Sequence, residues 1–388
     1  MLININDPLI KTIRISALYS LLFFSVLYPI LSNIKTISFL VCIILCLPGF
    51  ISSIRYITST NKYIFIYFFS ICTIYLLLSI NGSLNRSWTN IYTDAGAYYQ
   101  YFSYLMLIYF IIYFTGESTL LFKANQKVLL FNLLLIFIGS YFSKNVYEYD
   151  YEKYGYVLSN LNSMEIYRQS AIFLLLLGIQ KKLRLIFLVL LTPLIVSAQH
   201  VLLLLFMAIF LVYKLSKSLI LLYLFSLILF QIFSLFFVDE LFILDHNFGI
   251  RARFWYDSVQ AVIDTKLLGV GFGTESIYNS YWSDGKFWDF RQEFEDIYST
   301  SLHNGFYQLF FRFGIFSLPI ITWIIFVLID SLKLKRTNSQ VFINFLVMIF
   351  ALSASTNVAF SSPNFLIGSA FIIGYLSSVN SDKCKNSQ

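Results

Sequence analysis

Long runs of apolar residues, separated by short polar segments, recur along almost the whole chain. A helix needs about 20 residues to cross the hydrocarbon core of a membrane, because it rises only about 1.5 Å per residue. Ten runs approach this length, and they lie near 15–32, 36–54, 63–80, 98–114, 128–142, 165–179, 218–238, 306–330, 341–355 and 365–379. The pattern predicts an all-α integral membrane protein.

A further apolar stretch, residues 185–213, is interrupted by the polar sequence Ser197–His200. It is too long for one crossing and short for two. Basic residues precede it, between Lys181 and Arg184, and also follow it at Lys214. Because basic residues collect in cytoplasmic loops, both ends of the stretch are expected in the cytoplasm. The stretch is therefore predicted to be a hairpin with an outward tip, which brings the total to about 12 transmembrane helices.

The distribution of charge along the chain supports this topology. With twelve crossings and a cytoplasmic N-terminus, sixteen of the 27 basic residues but only four of the 20 acidic ones fall on the cytoplasmic side. This asymmetry predicts a multi-pass protein of the bacterial inner (cytoplasmic) membrane with both termini in the cytoplasm.

The composition excludes a soluble protein. Hydrophobic residues make up 58% of the 388 residues and charged residues only 12%, whereas a soluble domain carries about 25% charged residues. The net charge of +7 belongs mostly to short cytoplasmic segments, so it indicates contact with membrane lipid and not with nucleic acid.

One polar segment is much longer than the others and separates the ninth predicted transmembrane helix from the tenth. It spans residues 239–302 of a single polytopic membrane domain, 1–388, and is predicted to be a large periplasmic loop that carries short helices. An amphipathic helix is expected from Arg251 to Asp264, ended by the turn Gly269–Gly273. The glycines follow no strand of a βαβ unit, so they indicate a tight turn and not a dinucleotide site.

Two arginines, Arg251 and Arg253, lie at the start of the predicted loop helix. A guanidinium at a membrane surface offers planar, permanently charged donors that suit a phosphate or diphosphate. Trp255 lies four residues after Arg251 and is expected on the same helix face, where it is a candidate substrate contact. The alternative is that the arginines pair with Asp245 or Asp257 and only order the loop.

Aromatic residues alternate with carboxylates in the second half of the loop. Trp282, Trp288 and Glu293 are candidate substrate contacts, because rings cover the apolar faces of sugars and carboxylates accept hydrogen bonds from hydroxyl groups. The alternative is an interfacial aromatic belt with a solvated acidic rim. The carboxylates lack the ligand spacing of a metal site, so neither a metal nor a cofactor is expected.

Two histidines lie at predicted membrane boundaries. His303 lies where the large loop re-enters the membrane, and its imidazole can exchange a proton with a sugar hydroxyl near neutral pH. Asn304, which follows it, is a candidate substrate contact. His200 lies in the polar tip of the hairpin, where a polar group needs a partner or a water-filled cavity. The alternatives are an ordinary interfacial histidine for His303 and a capped helix end for His200.

Three motifs occur in order within residues 165–330. They are Arg251-x-Arg253-x-Trp255, Leu268-Gly269-Val270-Gly271-Phe272-Gly273, and Leu302-His303-Asn304 with Gly314 eleven residues after the histidine. Together with the predicted topology, these motifs resemble the O-antigen polymerase and O-antigen ligase superfamily, whose members are polytopic and carry a large periplasmic loop before their last few helices.

The resemblance implies a metal-independent glycosyltransferase without a cofactor. Such an enzyme transfers a growing glycan from undecaprenyl diphosphate to the acceptor hydroxyl of a lipid-linked repeat unit at the periplasmic face, which makes the implied function an O-antigen (surface polysaccharide) polymerase. Arg251 or Arg253 would hold the diphosphate, and His303 would engage the acceptor hydroxyl. The implied partners are the undecaprenyl-diphosphate-linked oligosaccharide, membrane lipid, and a chain-length regulator and flippase of the same pathway.

The chain departs from the family pattern at two places, and two other functions share part of the evidence. Ala198–His200 stands where family members carry Ser-Arg, and Ser317 stands where a second glycine is expected. An O-antigen ligase, which transfers the glycan to lipid A-core, shares the motifs. A twelve-helix transporter or lipid-linked oligosaccharide flippase shares the topology, but transporters place functional charges within their spans, whereas polar residues here concentrate outside them.

Overall fold

The computed structural model describes residues 59–83, 91–92, 94–102, 105, 173, 176–189, 207–211, 216–273, 302–333, 339–356, 360 and 368–377. Within these ranges the chain forms α-helices, a short 3-10 segment and turns, with no β-strand. The prediction of an all-α protein is confirmed for this part of the chain.

Eight helices among the described residues are labelled for reference. In chain order they are α1 (Ser59–Ile80), α2 (Lys217–Ser234), α3 (Val238–Leu244), α4 (His246–Asp264), α5 (Gly305–Phe313), α6 (Leu318–Ser331), α7 (Ser339–Thr356) and α8 (Gly368–Ser377). The 3-10 segment Gly314–Ser317 joins α5 to α6.

Three helical segments of the described residues are long and apolar enough to cross a membrane. They are Asn61–Ile80, Lys217–Ser234 and Gly305–Ser331, which coincide with the runs predicted at 63–80, 218–238 and 306–330. α7 and α8 are apolar but shorter. The runs near 15–32, 36–54 and 128–142 and the hairpin tip lie outside the described residues, so the total of twelve helices stays a prediction.

The surface of α2 has the character of a lipid-facing helix. Leu222, Phe225 and Phe233 are each more than half exposed, although none carries a polar group that water could solvate. Exposed apolar side chains on a helix whose backbone hydrogen bonds are internal suit contact with hydrocarbon. The described helices are therefore those of a membrane protein.

α1 runs antiparallel to the α5–α6 segment. Near the end of α1, the Tyr75 hydroxyl donates to the Phe313 carbonyl oxygen over 3.1 Å. Near its start, the Asn61 Oδ1 accepts a hydrogen bond of 2.9 Å from the Trp323 indole Nε1. Because residues that advance along α1 meet residues that retreat along α5–α6, the C-terminal part of α1 lies beside the end of α5.

The ends of two further helices, α2 and α7, meet the start of α5. The Tyr307 hydroxyl donates to the Gln231 carbonyl oxygen of α2 over 3.2 Å. The Asn304 side-chain Nδ2 donates to the Ser355 carbonyl oxygen near the end of α7 over 3.1 Å. The ends of α2 and α7 thus meet the start of α5, immediately after His303 in the chain.

The run predicted as one span at 306–330 is not a continuous helix. α5 ends at Phe313, and Gly314 adopts φ +54° and ψ −138°, a conformation that other L-residues rarely adopt. The turn after α4 lies directly against this glycine, since a Cβ on Gly314 would lie 2.1 Å from the Leu267 carbonyl oxygen. The same oxygen accepts a hydrogen bond of 2.9 Å from the Ile315 N–H. The helix is interrupted because the loop turn packs into the break.

Candidate functional site

The junction between α3 and α4 gives the loop helix an earlier start than its amphipathic pattern predicts. α4 begins at His246, whereas the expected start is Arg251. The N–H of Gly249 donates to the Asp245 carbonyl oxygen over 2.8 Å, which closes the first turn. A Cβ on Gly249 would lie 2.3 Å from the Cα of Phe242, so the two helices approach more closely than any residue with a side chain at this position would permit.

α4 buries one face against the turn that follows it and against α5. Phe254, Trp255, Val270, Leu302 and Phe311 form a small apolar cluster that is separate from the main core. The Trp255 indole is 1% exposed, and it stacks on Tyr307 with ring centroids 5.5 Å apart. Its Nε1 donates to the Leu302 carbonyl oxygen over 2.8 Å. The cluster holds the middle of α4 next to the residue that precedes His303.

His303 lies between two fully buried residues and is itself only partly buried. Its φ of +49° places it in the left-handed region, which is unusual for a residue other than glycine. Asn304 caps α5, because its Oδ1 accepts hydrogen bonds from the N–H groups of Phe306 and Tyr307 at 3.0 and 3.1 Å. The helix therefore begins immediately after a backbone turn that carries the imidazole.

The positive charge of Arg251 acts on His303. Burial lowers the pKa of the His303 imidazole, and the neighbouring Arg251 guanidinium lowers it further. The pKa of Arg251 is lowered by its own burial, an effect that the Asp245 carboxylate opposes. His303 is therefore neutral at neutral pH, which leaves a ring nitrogen able to accept a proton.

Arg253 has a different role from Arg251. Its Nε lies 2.9 Å from the Asp257 Oδ1, one helical turn further on, and its guanidinium lies 5.3 Å from the Tyr256 ring centroid. Burial raises the pKa of Asp257, while the ion pair with Arg253 opposes that shift. For Arg253, the described contacts are those of the loop-ordering alternative, whereas Arg251 is the arginine beside the histidine.

Trp255 and Asn304 lie close to His303 without a free surface for a ligand. Trp255 is 1% exposed and Asn304 is 0% exposed, and the polar atoms of both side chains are engaged in the hydrogen bonds given above. Both residues therefore support the structure around His303. The other predicted substrate contacts, His200, Trp282, Trp288 and Glu293, lie outside the described residues.

Two charged residues that the sequence pattern does not single out anchor the glycine turn. Arg312 Nη2 lies 2.8 Å from Asp94 Oδ2, and the arginine side chain is only 3% exposed. Arg312 Nη1 also donates to the Gly271 carbonyl oxygen over 3.1 Å, and the N–H of Gly273 donates to the Asp94 carboxylate over 3.1 Å. Asp94 and Arg312, which are distant in sequence, thus hold the turn together. No local sequence signal pairs them.

The turn Gly269–Gly273 has the backbone that its glycines predict. Gly269, Gly271 and Gly273 all have positive φ angles, between +74° and +81°. The tight turn that ends α4 lies earlier, at Thr265–Leu267, and the glycine segment continues from it along the carbonyl oxygens of Phe311 and Arg312. Among the residues that the structure describes, no three His, Cys, Asp or Glu side chains are grouped so that they could hold a metal ion.

Comparison of the chain with models of protein families, and with curated proteins, finds no match. The relationship to the O-antigen enzymes therefore stays a prediction from the three motifs and their order.

Proposed function

We propose that the protein is an O-antigen (surface polysaccharide) polymerase of the bacterial inner membrane. It transfers a growing glycan from undecaprenyl diphosphate to a hydroxyl of a lipid-linked repeat unit. The observation that carries the proposal is that the Trp255–Leu302 hydrogen bond holds the helix of Arg251 against the residue before His303, so that the Arg251 charge acts on the imidazole just before the membrane-length segment Gly305–Ser331. A cation beside a neutral imidazole suits a reaction that needs both an anion binder and a base.

His303 is the proposed general base. The acceptor hydroxyl is a weak nucleophile until its proton is removed, and a positioned base accelerates such a step about 10²–10⁴-fold. As the acceptor oxygen bonds to the anomeric carbon of the donor glycan, the imidazole takes the hydroxyl proton. The lowered pKa of His303 supports this role, because it keeps the ring unprotonated at neutral pH.

Arg251 is the proposed binder of the leaving group. When the bond between the anomeric carbon and the diphosphate oxygen breaks, its electron pair stays on the diphosphate, which gains negative charge. A guanidinium can donate two parallel hydrogen bonds to such an anion. Arg251 is preferred to Arg253 in this role, because Arg253 is already bound to Asp257.

The position of the site at the membrane boundary also favours a lipid-linked substrate. His303 lies two residues before the membrane-length segment Gly305–Ser331. A donor whose diphosphate is attached to a long apolar chain presents its reactive carbon at that depth. The chain-length regulator and the flippase of the same pathway are the proposed protein partners.

Substitution of His303 tests the proposal. In a strain that lacks the chromosomal gene, His303→Ala is expected to insert at wild-type abundance but to yield almost no O-antigen ladder, as read by gel analysis of lipopolysaccharide. His246→Ala is the matched control, since it removes a histidine from the same loop at a position outside the proposed mechanism. A normal ladder from His303→Ala at wild-type abundance would contradict the assignment of the base.

The deletion strain itself separates the polymerase from the ligase. A polymerase defect leaves lipopolysaccharide with a single repeat unit, because one unit can still be ligated. A ligase defect leaves no O-antigen on lipid A-core at all. The second result would overturn the proposed reaction while leaving the site residues in place.

A further inference from the structure

The backbone of His303 is held in a conformation that it would not adopt alone. At φ +49° its Cβ is crowded by the following carbonyl oxygen, so the left-handed region is unfavourable for any residue with a side chain. Such a conformation persists only where the surrounding structure enforces it, and it is frequent at functional sites. The groups that enforce it here can be identified.

The peptide groups of Leu302, immediately before His303, are held from two sides. The Leu302 N–H donates to Gln308 Oε1 over 3.2 Å, and the Leu302 carbonyl oxygen accepts from Trp255 Nε1 over 2.8 Å. All three residues are at most 1% exposed, so no water competes for these bonds. We call these two hydrogen bonds clamps: one comes from Gln308 of α5 and the other from Trp255 of α4.

The residue after His303 is held as firmly. Asn304 caps α5 through its Oδ1 and donates through its Nδ2 to the Ser355 carbonyl oxygen of α7. With Leu302 and Asn304 both fixed, His303 is the one residue of the three that reaches the surface of the cluster.

Gln308 has a further property that argues against a purely stabilising role. Its Nε2 is buried and has no hydrogen-bond partner among the described residues. An amide donor buried without a partner destabilises the fold, and an apolar side chain of similar size would avoid that cost. The amide is therefore retained for its Oε1 contact with the peptide before His303.

We propose that Gln308 and Trp255 are positioning residues, which fix the backbone on the N-terminal side of His303 and thereby the position of its imidazole relative to Arg251. The inference rests on the proposed function for its catalytic meaning, but the position of the imidazole can be measured without any activity. Arg251 of α4 is the charged group described as acting on His303, and Asp245 at the α3–α4 junction acts in turn on Arg251.

The test uses one variant for each clamp and a matched control. Trp255→Phe removes the indole N–H but keeps an aromatic ring in the cluster, and Gln308→Leu removes the acceptor for the Leu302 N–H. Trp323→Phe is the control, because it removes a buried indole donor with a hydrogen bond of 2.9 Å to Asn61, remote from His303.

The first readout is the titration of His303 itself. The chain has three histidines, so His200→Gln and His246→Gln together leave His303 as the single one. Nuclear magnetic resonance of ¹³C-labelled histidine in detergent micelles then gives its titration midpoint. The midpoint is expected to rise towards the usual value in Trp255→Phe and in Gln308→Leu, because the ring moves away from Arg251 and into water, and to stay unchanged in Trp323→Phe. Unchanged midpoints in both clamp variants would overturn the proposal.

The second readout is kinetic and uses the otherwise unaltered protein in membrane vesicles with lipid-linked repeat units. A displacement of about 1 Å at a reacting group lowers a rate on the order of 10²-fold, so kcat should fall by about that factor while KM changes little. A loss of abundance alone, with kcat per folded molecule unchanged, would mean that the two residues only stabilise the fold and would refute the inference. If His303→Ala remains active while the clamp variants still shift the titration, the proposed role of His303 as the base fails and the positioning of its imidazole survives.

Discussion

A methyl group at Gly314 should force apart the loop turn and the break between α5 and α6. The Cβ of Gly314→Ala would lie 2.1 Å from the Leu267 carbonyl oxygen, 2.5 Å from the Leu268 carbonyl carbon and 2.6 Å from the Gly269 nitrogen. All three neighbours are backbone atoms, so no side chain can turn aside to make room. The turn itself must move.

The expected loss of stability has two parts. Alanine at φ +54° and ψ −138° stores about 1–3 kcal/mol of backbone strain. Displacement of the turn also breaks three backbone hydrogen bonds, each worth roughly 0.5–1.5 kcal/mol. These join Ile315 N–H to Leu267 O (2.9 Å), Val270 N–H to Phe311 O (2.9 Å) and Gly271 N–H to Arg312 O (3.1 Å). The free energy of unfolding should therefore fall by roughly 2.5–7.5 kcal/mol.

Gly82 provides the matched control, because it shares the positive φ but not the close contact. Its φ is +75°, and a Cβ built on it meets no heavy atom within 4 Å. Gly82→Ala should therefore show the strain alone, about 1–3 kcal/mol. Reversible unfolding in mixed micelles measures both variants. Equal losses for Gly82→Ala and Gly314→Ala would refute the close approach of the turn to the helix break.

Three further predictions concern charge. Arg251→Gln removes a positive charge that lowers the pKa of His303, so this pKa should rise. Because the neutral imidazole is the active form, the acid limb of the pH–activity profile should move to higher pH. Arg251→Lys keeps the charge and should leave the acid limb in place. If the acid limb of Arg251→Gln stays at the wild-type pH, Arg251 does not affect the pKa of His303. Arg312→Met and Asp94→Asn should each lower the free energy of unfolding by about 3–5 kcal/mol, because each leaves a buried charge without its partner. The double variant should lose less than the sum of the two single losses, and additive losses would contradict the ion pair. A reporter fused near Asp284 should report the periplasm, and a cytoplasmic signal would reverse the predicted topology.

The class of protein and several of its helices could be predicted from the sequence. The apolar runs at 63–80 and 218–238 predict α1 and α2 because a backbone in hydrocarbon must satisfy its hydrogen bonds internally, and a helix does so within one segment. The glycines of the turn likewise predict positive φ angles, which the structure has. Both are properties of a short stretch of chain.

The loop helix begins at a local cap, whereas the end of the fifth helix depends on residues distant in sequence. α4 starts at His246, where the Asp245 carboxylate accepts from the Phe248 N–H over 3.4 Å, and α5 ends at Phe313, where the turn at Leu267 packs against the next residue. Periodicity cannot reveal such contacts. It reports which positions are apolar, and not which backbone approaches another.

The sequence by itself identified Arg251, Arg253 and His303 as candidates, because their chemistry is a property of the side chains and their spacing fits a known motif order. It also offered Asp257 as a local partner for either arginine. Only the tertiary structure decided between the two arginines. Packing of Trp255 against the residues before α5 sets the rotation of α4 relative to His303, so that the charge of Arg251 acts on the imidazole, whereas Arg253 pairs with Asp257 one turn further along its own helix. The rotation of a helix about its own axis is determined by what the helix packs against, so no local pattern contains it.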